Sequence, residues 1–122
     1  MRRLRHPSLT LFMGVSLEHP HLCILTELCS RGSLFDIIHD EHAALTWPKC
    51  LIIALDVAKG MTYLHAHSPP ILHRDLKSLN ILVDQNWRGK VRESTHAGLK
   101  RVVALSPITP PHARSSACSL IV

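Results

Sequence analysis

Apolar positions along the chain fall into short stretches near the start and one long stretch in the middle. Residues 9–17 and 22–28 are apolar and β-compatible, and the polar group Glu18-His19-Pro20-His21 separates them. Two such runs around a polar turn predict an antiparallel hairpin. Residues 1–7 read as the end of a helix stopped by Pro7, because proline disfavours helix in the residue before it. Ser30-Arg31-Gly32-Ser33 interrupts the second run. Gly32 supplies the bend there, and Ser33 stands where it can cap a short helix over 34–39.

Residues 46–65 predict the long helix. Thr46 precedes it as a cap, and Pro48 lies in its first turn, where a missing N–H costs nothing. Lys49, Asp56, Lys59 and Tyr63 fall on one narrow polar stripe, surrounded by Leu51, Ile52, Ile53, Leu55, Val57, Ala58, Met61 and Leu64. A helix apolar around most of its girth is expected to be buried on most sides. A hairpin alone does not cover that much surface. Ser68-Pro69-Pro70 ends the helix, residues 81–83 read as a short strand, and Asn86-Trp87-Arg88-Gly89 reads as a turn. Beyond Val91 no period of 2 or 3.6 is sustained. Ser, Thr, Pro, Ala and Arg dominate, so 92–122 is expected to be an irregular tail to a domain spanning 1–91.

Composition changes this picture little. A chain of 122 residues holds one small domain, and with only 4% aromatic residues its core is expected to be aliphatic. The net charge of +5 gathers at Arg2, Arg3 and Arg5 and again from Arg88 onward. Such an excess suits anionic partners. The basic residues are not interleaved with the aromatics that a nucleic-acid platform uses, which argues against nucleic acid. No apolar run nears the roughly 18 residues of a spanning helix, and no leader pattern follows Met1. Cys23, Cys29, Cys50 and Cys118 have no C-x-x-C spacing and read as reduced thiols. The expectation is a cytoplasmic chain with no membrane association. His19-Pro20-His21 and His65-Ala66-His67 lack a Cys or carboxylate partner at zinc-ligand spacing, so neither predicts a structural metal.

The sharpest chemical signal is His73-Arg74-Asp75-Leu76-Lys77-Ser78-Leu79-Asn80, followed by Ile81-Leu82-Val83-Asp84. A bare Asp-Leu-Lys-x-x-Asn string also fits a capped polar turn. The longer string resembles the catalytic loop of a protein kinase. Residues 1–91 around it resemble the middle of a kinase domain. Leu4-Arg5-His6-Pro7-Ser8-Leu9 is similar to the end of the family's helix C entering its fourth strand, and residues 22–26 are similar to its fifth strand. Leu11-Phe12-Met13-Gly14 is similar to the tyrosine-kinase-like group, which includes Raf and mixed-lineage kinases, and Lys77 is the serine/threonine-type choice. The fold class this resemblance implies is α+β. It is a partial kinase-like fold, with the hairpin and hinge of the upper lobe and helix D, helix E and the catalytic loop of the lower lobe.

The resemblance also implies roles. Asp75 would orient a substrate hydroxyl and accept its proton, Lys77 would stabilise the transferred phosphoryl group, and Asn80 would offer its amide oxygen to Mg2+. Thr26 would be the gatekeeper beside ATP. The C=O of Glu27 and the N–H and C=O of Cys29 would meet the adenine edge, and Leu82 would pack under the ring. His73 and Arg74 would be scaffold. The implied activity is transfer of the ATP γ-phosphoryl group to a protein substrate's hydroxyl.

The pattern departs from the family after Val91. Glu93-Ser94-Thr95 stands where Asp-Phe-Gly is expected, and the Gly-rich loop, its lysine with the glutamate partner, and the Ala-Pro-Glu motif are not among these 122 residues. So abrupt a change resembles a frameshift or a read-through intron more than gradual divergence. The expectation is a serine/threonine kinase fragment that is inactive as an isolated chain. The alternatives are a non-catalytic decoy that docks on a kinase or a chaperone, or a truncated product without function.

Overall fold

A computed structural model describes residues 4–16, 23–92 and 102–105, the last four by backbone alone. The turn at Glu18-His19-Pro20-His21, the Glu93-Ser94-Thr95 position and Cys118 lie outside the described residues. Strands β1 (Phe12–Ser16) and β2 (Cys23–Glu27) pair antiparallel, with a register shift between Phe12 and Gly14. This is the predicted hairpin. Helix α1 (Leu34–His39) follows. Its cap is the predicted Ser33, whose hydroxyl accepts from the Asp36 N–H while the Asp36 carboxylate accepts from the Ser33 N–H, so two orphan groups are satisfied reciprocally. Helix α2 (Trp47–His65) begins where expected, but Thr46 caps it by backbone geometry and its side chain makes no cap bond. Strands β3 (Ile81–Val83) and β4 (Gly89–Val91) form a second hairpin. Its turn places Trp87 at φ 62°, beneath the charged ends of both Arg31 and Lys49.

Three expectations change. Residues 4–6 are not helical; proline limits helix before it, but no 3.6-residue apolar period extends backward to build one. Within the stretch read as an irregular tail, Val102–Leu105 forms strand β5, parallel to β2 in the register Ile24 to Val102 through Glu27 to Leu105. Val-Val-Ala-Leu is a β-favouring run that the surrounding prolines and serines masked. The third change concerns α2. It is not buried on most sides: Leu51 and Leu55 are 53% and 55% exposed, whereas Asp56 of the polar stripe is 1% exposed.

Two apolar clusters meet along α2. Leu4, Leu9, Leu64 and Val91 form one, and Ile37, Ile53 and Val83 form the other, with Val57 against both. Close approach of α2 to β4 requires glycine on each side. A Cβ at Gly60 would lie 2.8 Å from the carbonyl oxygen of Ser8, and one at Gly89 would lie 3.1 Å from the Ile53 backbone. Val91 donates its N–H to Ser8 at 2.9 Å and accepts from the Thr10 N–H at 3.0 Å. The N-terminal segment is thereby stitched to β4, and the two hairpins are held in one frame.

Candidate functional site

The loop between α2 and β3 is built on a buried histidine. His73 is 5% exposed. Its Nδ1 accepts from the Asp75 N–H at 3.3 Å, and its Nε2 donates to the Arg92 carbonyl at 2.7 Å. One nitrogen accepts and the other donates, so the geometry selects the neutral Nε2–H tautomer. Between them Arg74 takes φ 64°, a left-handed conformation that ordinary residues hold only where neighbours impose it. The chain then makes a 3-10 turn over Ser78–Asn80, closed by the Asn80 N–H donating to the Lys77 carbonyl at 2.8 Å.

This local path brings Asp75, Lys77 and Asn80 together. Lys77 Nζ lies 3.0 Å from Asp75 Oδ1, and Asn80 Nδ2 donates to Asp75 Oδ2 at 2.9 Å and to the Asp75 carbonyl at 2.7 Å. The Asp75 carboxyl is about half exposed. The bond from Lys77, then that from Asn80, holds its pKa below the usual carboxylate range. An ionised, half-open carboxylate beside a lysine can accept a proton from an incoming hydroxyl and sit next to a positive charge.

The other expected residues lie along the exit from β2 and on β3. Thr26 is buried. The Glu27 carboxylate is engaged twice, accepting from the Leu11 N–H at 2.7 Å and from Lys90 Nζ at 2.7 Å. The Glu27 N–H donates to Leu11, and the Cys29 carbonyl accepts from the Gly32 N–H at 3.0 Å. Burial first, then the nearby Glu27 carboxylate, pushes the Cys29 thiol up to about 11. Leu82 bridges to Ser33, while the Arg31 N–H donates to Val83 and the Val83 N–H donates to Gly32. The exit from β2 and strand β3 are thus one laced unit. A separate cleft of about 470 Å³ lies between residues 4–7 of the N-terminal segment and the Glu27–Lys90 pair.

Arg92 is the residue that motif reading missed. Its Nη2 donates to Asn80 Oδ1 at 2.6 Å, and its N–H donates to the Asn80 carbonyl at 2.9 Å. The amide oxygen expected to face a metal therefore faces a guanidinium, and the arrangement does not fit Mg2+ at Asn80. Among the described residues there is no group of three or more His, Cys, Asp or Glu side chains placed to hold a metal. A basic residue one step beyond the matched segment was the only signal. Asp56, placed on the polar stripe of α2, is likewise a buried, paired residue that motif reading did not single out. No helix among the described residues is long and apolar enough to cross a membrane.

A model of the protein tyrosine and serine/threonine kinase family matches residues 1–108, running past Val91 and through β5. The probable serine/threonine-protein kinase drkA of Dictyostelium discoideum is 50% identical over 93 residues, which cover 76% of this chain and 14% of that protein. The serine/threonine-protein kinase CTR1 of Arabidopsis thaliana is 49% identical over 108 residues, 87% of this chain and 13% of the relative. The probable serine/threonine-protein kinase SIS8 of the same plant is 47% identical over 106 residues, 87% of this chain and 10% of its own length. The chain thus spans less than a sixth of each of these relatives.

Proposed function

We propose, for a chain that belongs to the protein tyrosine and serine/threonine kinase family, that it is the hinge and catalytic-loop portion of a serine/threonine kinase, inactive on its own. The observation that carries this reading is the convergence of Asp75, Lys77 and Asn80 on one half-open loop. Asp75 accepts the proton of a substrate serine or threonine hydroxyl as it attacks. Lys77 lies where negative charge develops on the moving phosphoryl group. ATP supplies that group when bound. Thr26, the backbone of Glu27 and Cys29, and Leu82 form the adenine side. The cytoplasm, where ATP and protein substrates meet, is the compartment this reading assigns.

The isolated chain is expected to transfer no phosphoryl group from labelled ATP to a serine/threonine peptide library. Grafting residues 4–91 of this chain into drkA, in place of the corresponding stretch, tests the site itself. The hybrid is expected to phosphorylate peptides, and Asp75→Asn in the hybrid is expected to abolish transfer while leaving the melting curve in place. A folded hybrid that is inactive, or one indifferent to Asp75→Asn, would refute the assignment.

A second reading is a non-catalytic fragment that docks on a kinase or chaperone. It is favoured by the exposed apolar side of α2 at Trp47, Leu51 and Leu55. Retention of the untagged chain by an intact kinase, lost in Leu51→Lys/Leu55→Lys, would support it.

A further inference from the structure

Asn80 has only one orientation compatible with its neighbours. Its amide must turn hydrogens toward the Asp75 carboxylate and oxygen toward the Arg92 guanidinium, since a carboxylate accepts only and a guanidinium donates only. A cation shared by Asp75 and Asn80 needs the opposite arrangement at one of them, with both oxygens turned inward. The bonds also close a ring. His73 holds the Asp75 N–H and the Arg92 carbonyl, Asp75 holds Asn80, and Asn80 holds Arg92 through both side chain and backbone. Opening any member leaves donors or acceptors at the buried His73 and Asn80 without partners, which resists rearrangement. The charges point the same way. Lys77 and Arg92 set two positive charges against the single carboxylate of Asp75, whereas a hard divalent cation gathers at sites rich in anionic oxygen.

We propose that the guanidinium of Arg92 is the resident cation of this loop, holding the oxygen of Asn80 and excluding a divalent cation from it.

Paramagnetic broadening by Mn2+, added alone to the isotope-labelled chain, tests this without nucleotide or phosphoryl transfer, so it stands or falls apart from the kinase reading. In the native chain the Asn80 side-chain amide and the Asp75 N–H are expected to stay sharp. In Arg92→Ala both are expected to broaden at about tenfold less Mn2+ or lower, the scale on which removing a positioning contact alters metal affinity. In Arg92→Ala/Asn80→Ala the broadening at Asp75 is expected to disappear. Native broadening at Asn80 equal to that of Arg92→Ala would overturn the proposal, as would an Arg92→Ala chain that gains none. A second measurement covers the case of an unfolded Arg92→Ala. In Asn80→Ala the Arg92 side-chain N–H signals are expected to exchange with water at least about tenfold faster, as a freed donor does. An unchanged rate would show that Asn80 does not hold the guanidinium.

Discussion

Arg88 clasps Asp56 with two parallel bonds, Nε to Oδ2 at 2.8 Å and Nη2 to Oδ1 at 2.6 Å, and the Gly89 N–H adds a third at 3.1 Å. The carboxylate lies inside the packed face of α2, so the pair anchors that helix to the turn before β4. Arg88→Met leaves a buried anion with one neutral donor. The expected loss is about 2–4 kcal/mol, toward the lower part of what breaking a buried pair costs because Arg88 itself is half exposed. Urea unfolding followed by circular dichroism measures it. A loss under about 0.5 kcal/mol, the range of an ordinary surface change, would show that the clasp does not anchor the helix.

Gly60→Ala should destabilise the chain even though alanine is the better helix former by about 1 kcal/mol. The new methyl group meets the Ser8 carbonyl oxygen at 2.8 Å and has backbone, not a flexible side chain, to displace. The net change expected is a loss of about 1–3 kcal/mol, read from the same urea curves. Stabilisation would place the N-terminal segment elsewhere.

Asp75 should titrate below the ordinary aspartate value of about 3.9. A folded value depressed below the unfolded one stabilises the chain above the unfolded pKa, and that contribution is lost as pH falls through the folded value. Lys77→Met removes the largest cause and should move the Asp75 midpoint upward. Carbon-detected carboxyl titration by NMR reads both numbers.

Cys29 should be the slowest to alkylate of Cys23, Cys29 and Cys50, because its thiol stays protonated to about pH 11 and is buried. The sign for stability is opposite to that of Asp75. The contribution of the neutral thiol is complete below the ordinary thiol pKa of about 8.5 and disappears as pH rises toward the folded value. Timed iodoacetamide labelling with peptide mass mapping gives the order.

Leu51→Lys/Leu55→Lys should leave the unfolding free energy within about 0.5 kcal/mol, since both side chains are more than half exposed. Light scattering of the same samples should fall, because the substitution breaks up the apolar side of α2. A large loss of stability would mean that these leucines are covered.

The long helix, the first hairpin, the strand at 81–83 with the turn after it, and the Ser33 cap were legible because each rests on local signals: period, turn chemistry and capping. The grouping of Asp75, Lys77 and Asn80 was legible as a resemblance because the residues lie within six positions of one another. Asp56 was not, since a helical wheel sorts charge outward and cannot see a partner 32 residues on. Ile53 and Val57 illustrate the same limit. They are as apolar as Leu51 and Leu55, yet Ile53 is in the core and Val57 packs against it, because the covering surface comes from β3 and β4. Arg92 was missed because its importance lies in where β4 ends, beside Asn80. Strand β5 was missed because four apolar residues are too short a run to outweigh the prolines around them.

Val91 has β3 on one side and the segment at Ser8 and Thr10 on the other, contacts that span up to 83 positions of the chain. On a ribosome the order of emergence then matters. Residues 4–10 leave the exit tunnel well before β4 and have no seat until it has followed them out. Meanwhile Leu4 and Leu9, both destined for the core, wait uncovered through the synthesis of everything between. Closing so long a loop is the slow step of such a topology, and the early segment is where a nascent-chain chaperone has the longest time to bind.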